Sequence, residues 1–82
     1  MRTAMNARLQ QIVSRVFKAP PDQIDLESGP HSLAGWDSAG HLNLVLELEK
    51  EFGVKFDDDE VVELVSVGAI EEALRRHGAD AS

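Results

Sequence analysis

The sequence has 82 residues, of which 43% are hydrophobic and 28% are charged, and its formal net charge is −7 at pH 7. A chain of this length forms one domain and buries only about 60–65% of the surface that its unfolded form exposes, which leaves little room for an enclosed active site. The negative charge excludes nucleic acids and anionic membranes as preferred partners, because both are bound mainly through Lys and Arg.

The sequence contains no cysteine, so neither disulfide bonds nor a thiolate zinc site can support the small core. No stretch approaches the roughly 20 apolar residues that span a bilayer, and no apolar run of a secretory signal follows the first basic residues. We therefore expect a monomeric cytoplasmic protein, with one domain over residues 1–82 and frayed ends at 1–4 and 78–82.

Apolar residues at helical spacing predict a first helix that begins near Met5. They follow the i, i+3, i+4, i+7 pattern of one helix face: Met5, Leu9, Ile12, Val13, Val16 and Phe17. Pro20 and Pro21 end this helix, because proline disfavours helical geometry in the residue before it and has no N–H to donate. Residues 22–37 then predict a long ordered loop. Four isolated apolar side chains are expected to hold that loop: Ile24, Leu26, Leu33 and Trp36.

A second helix is predicted from Ser38 to Phe52, and Gly53 stands where a C-terminal cap is expected. Its apolar side chains cover an arc of about 200°, which predicts the most buried helix of the fold. The predicted core includes five residues: Trp36, Leu42, Val45, Leu46 and Leu48. On this prediction Leu46→Ala costs about 2–5 kcal/mol of stability.

Two shorter helices complete the predicted architecture. The acidic residues 57–60 favour the first turn of a short third helix, which ends near Val65, because the helix dipole is positive there. Ser66 is a candidate N-cap for a fourth helix that carries Val67, Ile70, Ala73 and Leu74. The sequence thus predicts an all-α four-helix bundle of three main helices and one short third helix, with a long ordered loop between helices 1 and 2.

The candidate functional residues are Asp37 and Ser38, at the junction between the long loop and the second helix. The first N–H groups of a helix lack partners within the helix, so a phosphate esterified to Ser38 would be stabilised there. Taken alone, the pair has a simpler interpretation, since Asp and Ser are common N-cap residues.

Residues 5–77 resemble the acyl carrier protein family from end to end. The resemblance rests on Asp37-Ser38, on the apolar helix that ends in residues 49–54, on the acidic short helix and on Val67 at the start of the last helix. The family motif is Gly-x-Asp-Ser-Leu, and residues 35–38 match its first four positions. The resemblance implies that Ser38 receives 4′-phosphopantetheine from coenzyme A in a magnesium-dependent transfer, with Asp37 as part of the site.

The resemblance also implies a phosphoprotein without catalytic activity that carries an acyl or aminoacyl group as a thioester. Its expected partners are a phosphopantetheinyl transferase, an acyl- or aminoacyl-activating enzyme, and acyl transferases or synthases. Carboxylates on helices 2 and 3 are the implied partner contacts, with Glu47, Glu49 and Asp58 as candidates. Five apolar residues of the core could shelter a bound acyl chain. The alternative is that their side chains already fill this part of the core: Leu44, Leu48, Phe56, Val61 and Leu64.

The sequence departs from the family motif directly after Ser38. Ala39 replaces the usual leucine, and Gly40 in the first turn costs about 1 kcal/mol relative to alanine, which predicts a loose helix start. The run from Trp36 through His41 resembles discrete carriers of specialised pathways more than the fatty-acid carrier.

Other functions fit the same residues less well. Residues 57–60 lack the alternating acids of an EF-hand loop, which favours helix capping over calcium binding. His31, His41 and His77 are not paired at metal-ligand spacing, so surface or capping roles are expected. A serine hydrolase would need a His and an acid at Ser38, and His41 is the only local candidate. The main alternative is a small acidic helical adaptor that binds a protein partner without a prosthetic group.

Overall fold

The computed structural model describes residues 6–78, which form four α-helices and one short 3₁₀ turn and contain no β-strand. Their bounds in chain order are α1 Ala7–Phe17, the 3₁₀ turn Pro21–Gln23, α2 Ser38–Phe52, α3 Asp58–Glu63 and α4 Val67–Arg76. The all-α fold with a short third helix and a long loop before α2 is therefore confirmed. Met5 and the expected frayed ends 1–4 and 79–82 lie outside the described residues. Gly78, also expected to be frayed, donates its N–H to the Arg75 carbonyl at 2.9 Å.

The ends of α1 are set by its flanking residues. The Asn6 side chain accepts from the N–H groups of Arg8 and Leu9, which satisfies two donors at the first turn. Lys18 adopts the left-handed conformation with φ of 55° and closes the helix. The helix therefore ends before the prolines are reached, and Pro21 instead begins the 3₁₀ turn.

The long loop is ordered by its own apolar side chains, as predicted. Ile24 and Trp36 are buried, while Leu26 and Leu33 pack against the core from partly exposed positions. The loop also supports α4, because the Gly68 N–H donates to the Leu26 carbonyl at 2.8 Å and the neighbouring Val67 N–H donates to Ser28. The loop thus satisfies donors at the start of α4 that a helix cannot satisfy by itself.

Burial differs sharply between α4 and α2. Half of the ten residues of α4 are buried, against three of the fifteen in α2. The prediction that α2 is the most buried helix is wrong, and so are two of its predicted core residues: Leu42 is 58% exposed and Leu46 is 63% exposed. The apolar arc of α2 is wider than the surface that the other helices cover. The remaining predicted core residues, Trp36, Val45 and Leu48, are buried.

Local chemistry fixes the ends of the other helices. Gly53 closes α2 with φ of 66°, and the Ser66 hydroxyl accepts from the Ala69 N–H at the start of α4, both as predicted. At the start of α3 a Glu60 carboxylate oxygen accepts from the Asp57 N–H at 3.0 Å. This helix ends at Glu63, two residues before the predicted end. Among the helices of residues 6–78, none combines the length and the apolar character that a bilayer crossing requires.

Candidate functional site

Ser38 is the first residue of α2, and its side chain is exposed. Asp37 caps the helix, since its Oδ1 accepts from the Gly40 N–H at 2.9 Å and its carbonyl accepts from the His41 N–H at 2.7 Å. Within residues 6–78 these bonds leave the N–H groups of Ser38 and Ala39 without an acceptor. The predicted cap is confirmed, and the positive end of the helix dipole lies beside the Ser38 hydroxyl.

The backbone just before Ser38 is held by stacked aromatic rings. The buried indole of Trp36 stacks on Phe17 with a centroid distance of 5.0 Å and an interplanar angle of 14°. Gly35 adopts a φ of 90°, which an L side chain rarely reaches. The turn that leads into Ser38 is therefore anchored to α1 rather than freely mobile.

Gly40 lies where the loop crosses the first turn of α2. A Cβ at this position would collide with the Gly35 carbonyl oxygen and would come within 2.9 Å of the Phe17 ring. The expectation that Gly40 loosens the helix start is wrong. The absence of a side chain is what allows the loop to pack against this turn.

His41 lies one turn after Asp37 and joins three segments of the chain. The Trp36 Nε1–H donates to its Nδ1 at 2.9 Å, and its Nε2 lies 2.8 Å from the Val61 carbonyl oxygen. An indole N–H can only donate and a carbonyl can only accept, so the ring is neutral with its proton on Nε2. The expected surface or capping role is wrong for His41, although His31 is exposed and His77 is the C-cap residue of α4.

An open groove of about 380 Å³ runs beside Ser38. It is lined by residues of the loop, α2, α3 and the segment that follows α3: Pro30, Trp36, Asp37, Ser38, His41, Val62 and Val65. Val62 is 71% exposed and Val65 is 57% exposed, so they form an apolar wall that solvent reaches. The Ser38 hydroxyl thus stands at the edge of a mostly apolar surface depression.

The hydrogen bonds at this site disfavour a hydrolase. Both ring nitrogens of His41 are engaged by Trp36 and Val61, so neither is available to take a proton from Ser38. In the described part of the chain, no group of three or more His, Asp and Glu side chains is arranged to hold a metal ion. The Ser38 side chain itself is exposed to solvent.

The sequence matches the family model described as phosphopantetheine attachment site over residues 7–74, which is most of the chain. The chain belongs to this family. The resemblance to acyl carrier proteins is thereby confirmed, and the protein is a carrier that bears covalently bound 4′-phosphopantetheine. An exposed hydroxyl at a helix N-terminus, beside an apolar groove, fits such a group.

The three carboxylates predicted to face partner enzymes differ in their surroundings. Glu47 pairs with Arg15 at 3.1 Å, and a Glu49 carboxylate oxygen accepts from the Phe56 N–H at 2.9 Å. Asp58 is exposed in the first turn of α3. Two of the three are therefore engaged within the chain.

The predicted acyl shelter lies inside the packed core. Leu44, Leu48, Phe56 and Leu64 are buried, and Val61 packs partly buried against them. These side chains contact one another within the core cluster, so the described groove beside Ser38 is a different surface from the predicted shelter.

Proposed function

We propose that Ser38 is the residue to which 4′-phosphopantetheine is attached, and that the protein holds an acyl or aminoacyl group as a thioester and presents it to partner enzymes. The observation that carries this proposal is the exposed Ser38 hydroxyl at the start of α2, within the segment that matches the family. The terminal thiol of the attached group supplies the sulfur of the thioester, which activates the carbonyl carbon for transfer.

The residues around Ser38 favour a phosphodiester at that position. The cap formed by Asp37 keeps the first turn helical, and the N–H groups of Ser38 and Ala39 remain available to an anion. Asp37 is exposed and adjacent, so we propose that its carboxylate helps to bind the magnesium-dependent transfer machinery. The anchored Trp36 keeps this arrangement fixed while the attached arm moves, which raises the local concentration of cargo at a partner's active site.

Partner enzymes are proposed to dock on the face formed by α2 and α3. Leu42 and Leu46 follow Ser38 by one and two helical turns and are both more than half exposed. Asp58 is an exposed acid in the first turn of α3, and its charge would speed encounter with basic enzymes. The proposed partners are a phosphopantetheinyl transferase, an activating enzyme for the acyl or amino acid, and acyl transferases or synthases.

We further propose a non-catalytic, discrete carrier of a specialised pathway. Ala39 stands where the family motif has leucine, with Gly40 and His41 after it, and this departure changes the surface that partners meet. The cytoplasmic location and the monomeric state stay predictions. The family match favours this carrier over an adaptor that lacks a prosthetic group.

Co-expression with a broad-specificity phosphopantetheinyl transferase tests the attachment residue. Intact-mass measurement should show one added phosphopantetheine on the wild-type protein and none on Ser38→Ala. Ser32→Ala is the matched control, since Ser32 is another exposed serine in the loop before α2 and should leave the modification in place.

The fold of the variant must be checked together with its mass. Ser38 is exposed, so Ser38→Ala should change the free energy of unfolding by less than about 0.5 kcal/mol. A folded Ser38→Ala protein that still gains the group would overturn the assignment of Ser38, and an unmodified wild-type protein would overturn the carrier function.

A further inference from the structure

His41 occupies the point where the loop, α2 and α3 meet. Its Nδ1 accepts a hydrogen bond from the Trp36 Nε1–H on one side, and its Nε2–H donates one to the Val61 carbonyl oxygen on the other, at 2.9 and 2.8 Å. The ring also stacks at an interplanar angle of 22° on the indole, with centroids 6.2 Å apart. The His41 side chain therefore connects Trp36, which precedes Ser38, to the short helix α3 across the groove.

The contact with Val61 matters because α3 is weak by itself. A helix of six residues has little stability without tertiary contacts, and the carbonyls of its last turn lack partners within the helix. The Val61 carbonyl also accepts from the Leu64 N–H at 3.3 Å, so the bond from His41 is directed at the end of α3. Val62 and Val65, which form the wall of the groove, lie next to these two residues.

We propose that His41 is a positioning residue that fixes α3 relative to Ser38 and so sets the shape of the groove that the phosphopantetheinyl transferase meets. This inference rests on the proposed function of Ser38. His41 acts through Trp36 and Val61 and takes no part in the transfer itself, because both of its ring nitrogens are already bound.

Two variants of His41 can separate the effect of losing its hydrogen bonds from the effect of changing the size of its side chain. His41→Phe keeps an aromatic ring at this position but removes both the acceptor and the donor. His41→Gln restores one acceptor and one donor side by side in an amide, which can serve Trp36 and Val61 together. His31→Phe is the matched control, because His31 is an exposed histidine in the loop before α2.

The first measurements use the unmodified full chain and do not depend on any activity. ¹⁵N NMR of wild-type protein should show His41 in the neutral Nε2–H form. The amides of Leu64 and Val65 should exchange about tenfold faster in His41→Phe, as expected for the loss of a hydrogen bond, and near the wild-type rate in His41→Gln and His31→Phe. A Nδ1–H tautomer in the wild type, or unchanged exchange in His41→Phe, would overturn the proposal.

The second measurement is the rate of transfer to each variant under conditions in which the variants remain folded. His41→Phe should raise the transferase KM about tenfold with little change in kcat, because docking is disturbed while Ser38 is intact. His41→Gln should recover most of that loss. Equal KM values for wild type and His41→Phe would contradict the proposal. Failure of the Ser38 assignment would appear instead as modification that persists in Ser38→Ala.

If His41→Phe does not fold, the wild-type tautomer and the His41→Gln variant still decide the question. A His41→Gln protein that folds but shows the tenfold rise in KM would mean that the amide does not replace the ring, and would overturn the role assigned to the two hydrogen bonds.

Discussion

The apolar faces of α2 and α4 are buried to very different extents in the fold. In α4 the large apolar side chains are completely buried, as Leu74 illustrates. In α2 a pair of leucines four residues apart, Leu44 and Leu48, is completely buried, whereas the pair Leu42 and Leu46 is more than half exposed. Apolar spacing thus defines the surface that a helix can bury, and other parts of the chain decide how much of it is covered.

The exposed side of α2 begins at Ser38, the proposed attachment residue. A helix or loop packed over Leu42 and Leu46 would also restrict access to the hydroxyl at the start of α2. Single exposed leucines are tolerated in monomeric proteins, but a row of them beside a functional residue is typical of an interaction site. The buried leucines of α2 and α4 therefore stabilise the fold, whereas the exposed pair on α2 belongs to the proposed docking face.

The largest effect on stability should come from the buried side of this comparison. Leu74→Ala in α4 should lower the free energy of unfolding by about 2–5 kcal/mol, because it removes a fully buried side chain and leaves a cavity. Urea unfolding followed by circular dichroism measures the loss. A loss below 1 kcal/mol would show that α4 does not form the centre of the core.

Gly40→Ala should have the next largest effect, although alanine is the better helix former. The added methyl group would meet the Gly35 carbonyl and the Phe17 ring, and such overpacking costs about 1–3 kcal/mol. If the first turn of α2 were loose, the same substitution would instead stabilise the protein by up to about 1 kcal/mol. Ala39→Gly, in the same turn at an exposed position, is the control for helix propensity alone. Urea unfolding thus gives opposite signs for a packed and a loose helix start.

Leu46→Ala should have a small effect on stability, despite the same chemistry as Leu74→Ala. A side chain that is 63% exposed contributes little burial, so the expected change lies within about 0.5 kcal/mol. The proposed docking face predicts that the KM of the phosphopantetheinyl transferase rises while kcat is retained. A destabilised protein with an unchanged KM would reverse the assignment of Leu46 from partner contact to core.

Helix ends could be predicted wherever a local residue type determines them. Asp37 and Gly53 bound α2 because a side-chain acceptor and a residue tolerant of positive φ act within one turn. The end of α1 could not be located in this way, since Lys18 adopts the left-handed conformation without being glycine or asparagine. The exposure of Leu42 depends on which elements pack together, and helical periodicity carries no information about that.

The candidate site was predictable only in part, for the same reason. The position of Ser38 at a helix start follows from neighbouring residues, whereas the role of His41 depends on Trp36 and on the carbonyl of Val61. A backbone carbonyl has the same chemistry whatever the residue, so the sequence gives no sign of this second partner. Likewise, the need for Gly40 becomes evident only once Gly35 is seen to pack against it.

The short helix α3 is contacted by a histidine from each of the two helices. His41 of α2 bonds to the Val61 carbonyl near its end, and His77, which follows α4, contacts Glu60. The Nε2 of His77 lies 2.9 Å from a carboxylate oxygen of Glu60, while the ring meets Phe56 edge-on. The pKa of Glu60 is lowered from its ordinary value of 4.5, first by the hydrogen bond from the Asp57 backbone and then by the one from His77. This carboxylate therefore links α3 to α4 in its ionised form.

The smallest expected effect is the pH dependence of that link. Because the pKa of Glu60 is lower in the folded state, the ionised carboxylate stabilises the protein above pH 4.5, and this contribution disappears as the pH falls through the lowered pKa. The urea midpoint of the wild type should thus lie above that of Glu60→Gln at pH 6, and this difference should shrink on acidification. In a His77→Gln background it should be smaller but not zero, since the Asp57 N–H still favours the charged form. A difference in midpoint that grows on acidification would contradict the lowered pKa of Glu60. A difference that His77→Gln leaves unchanged would mean that the pair of Glu60 and His77 does not hold α3 against α4.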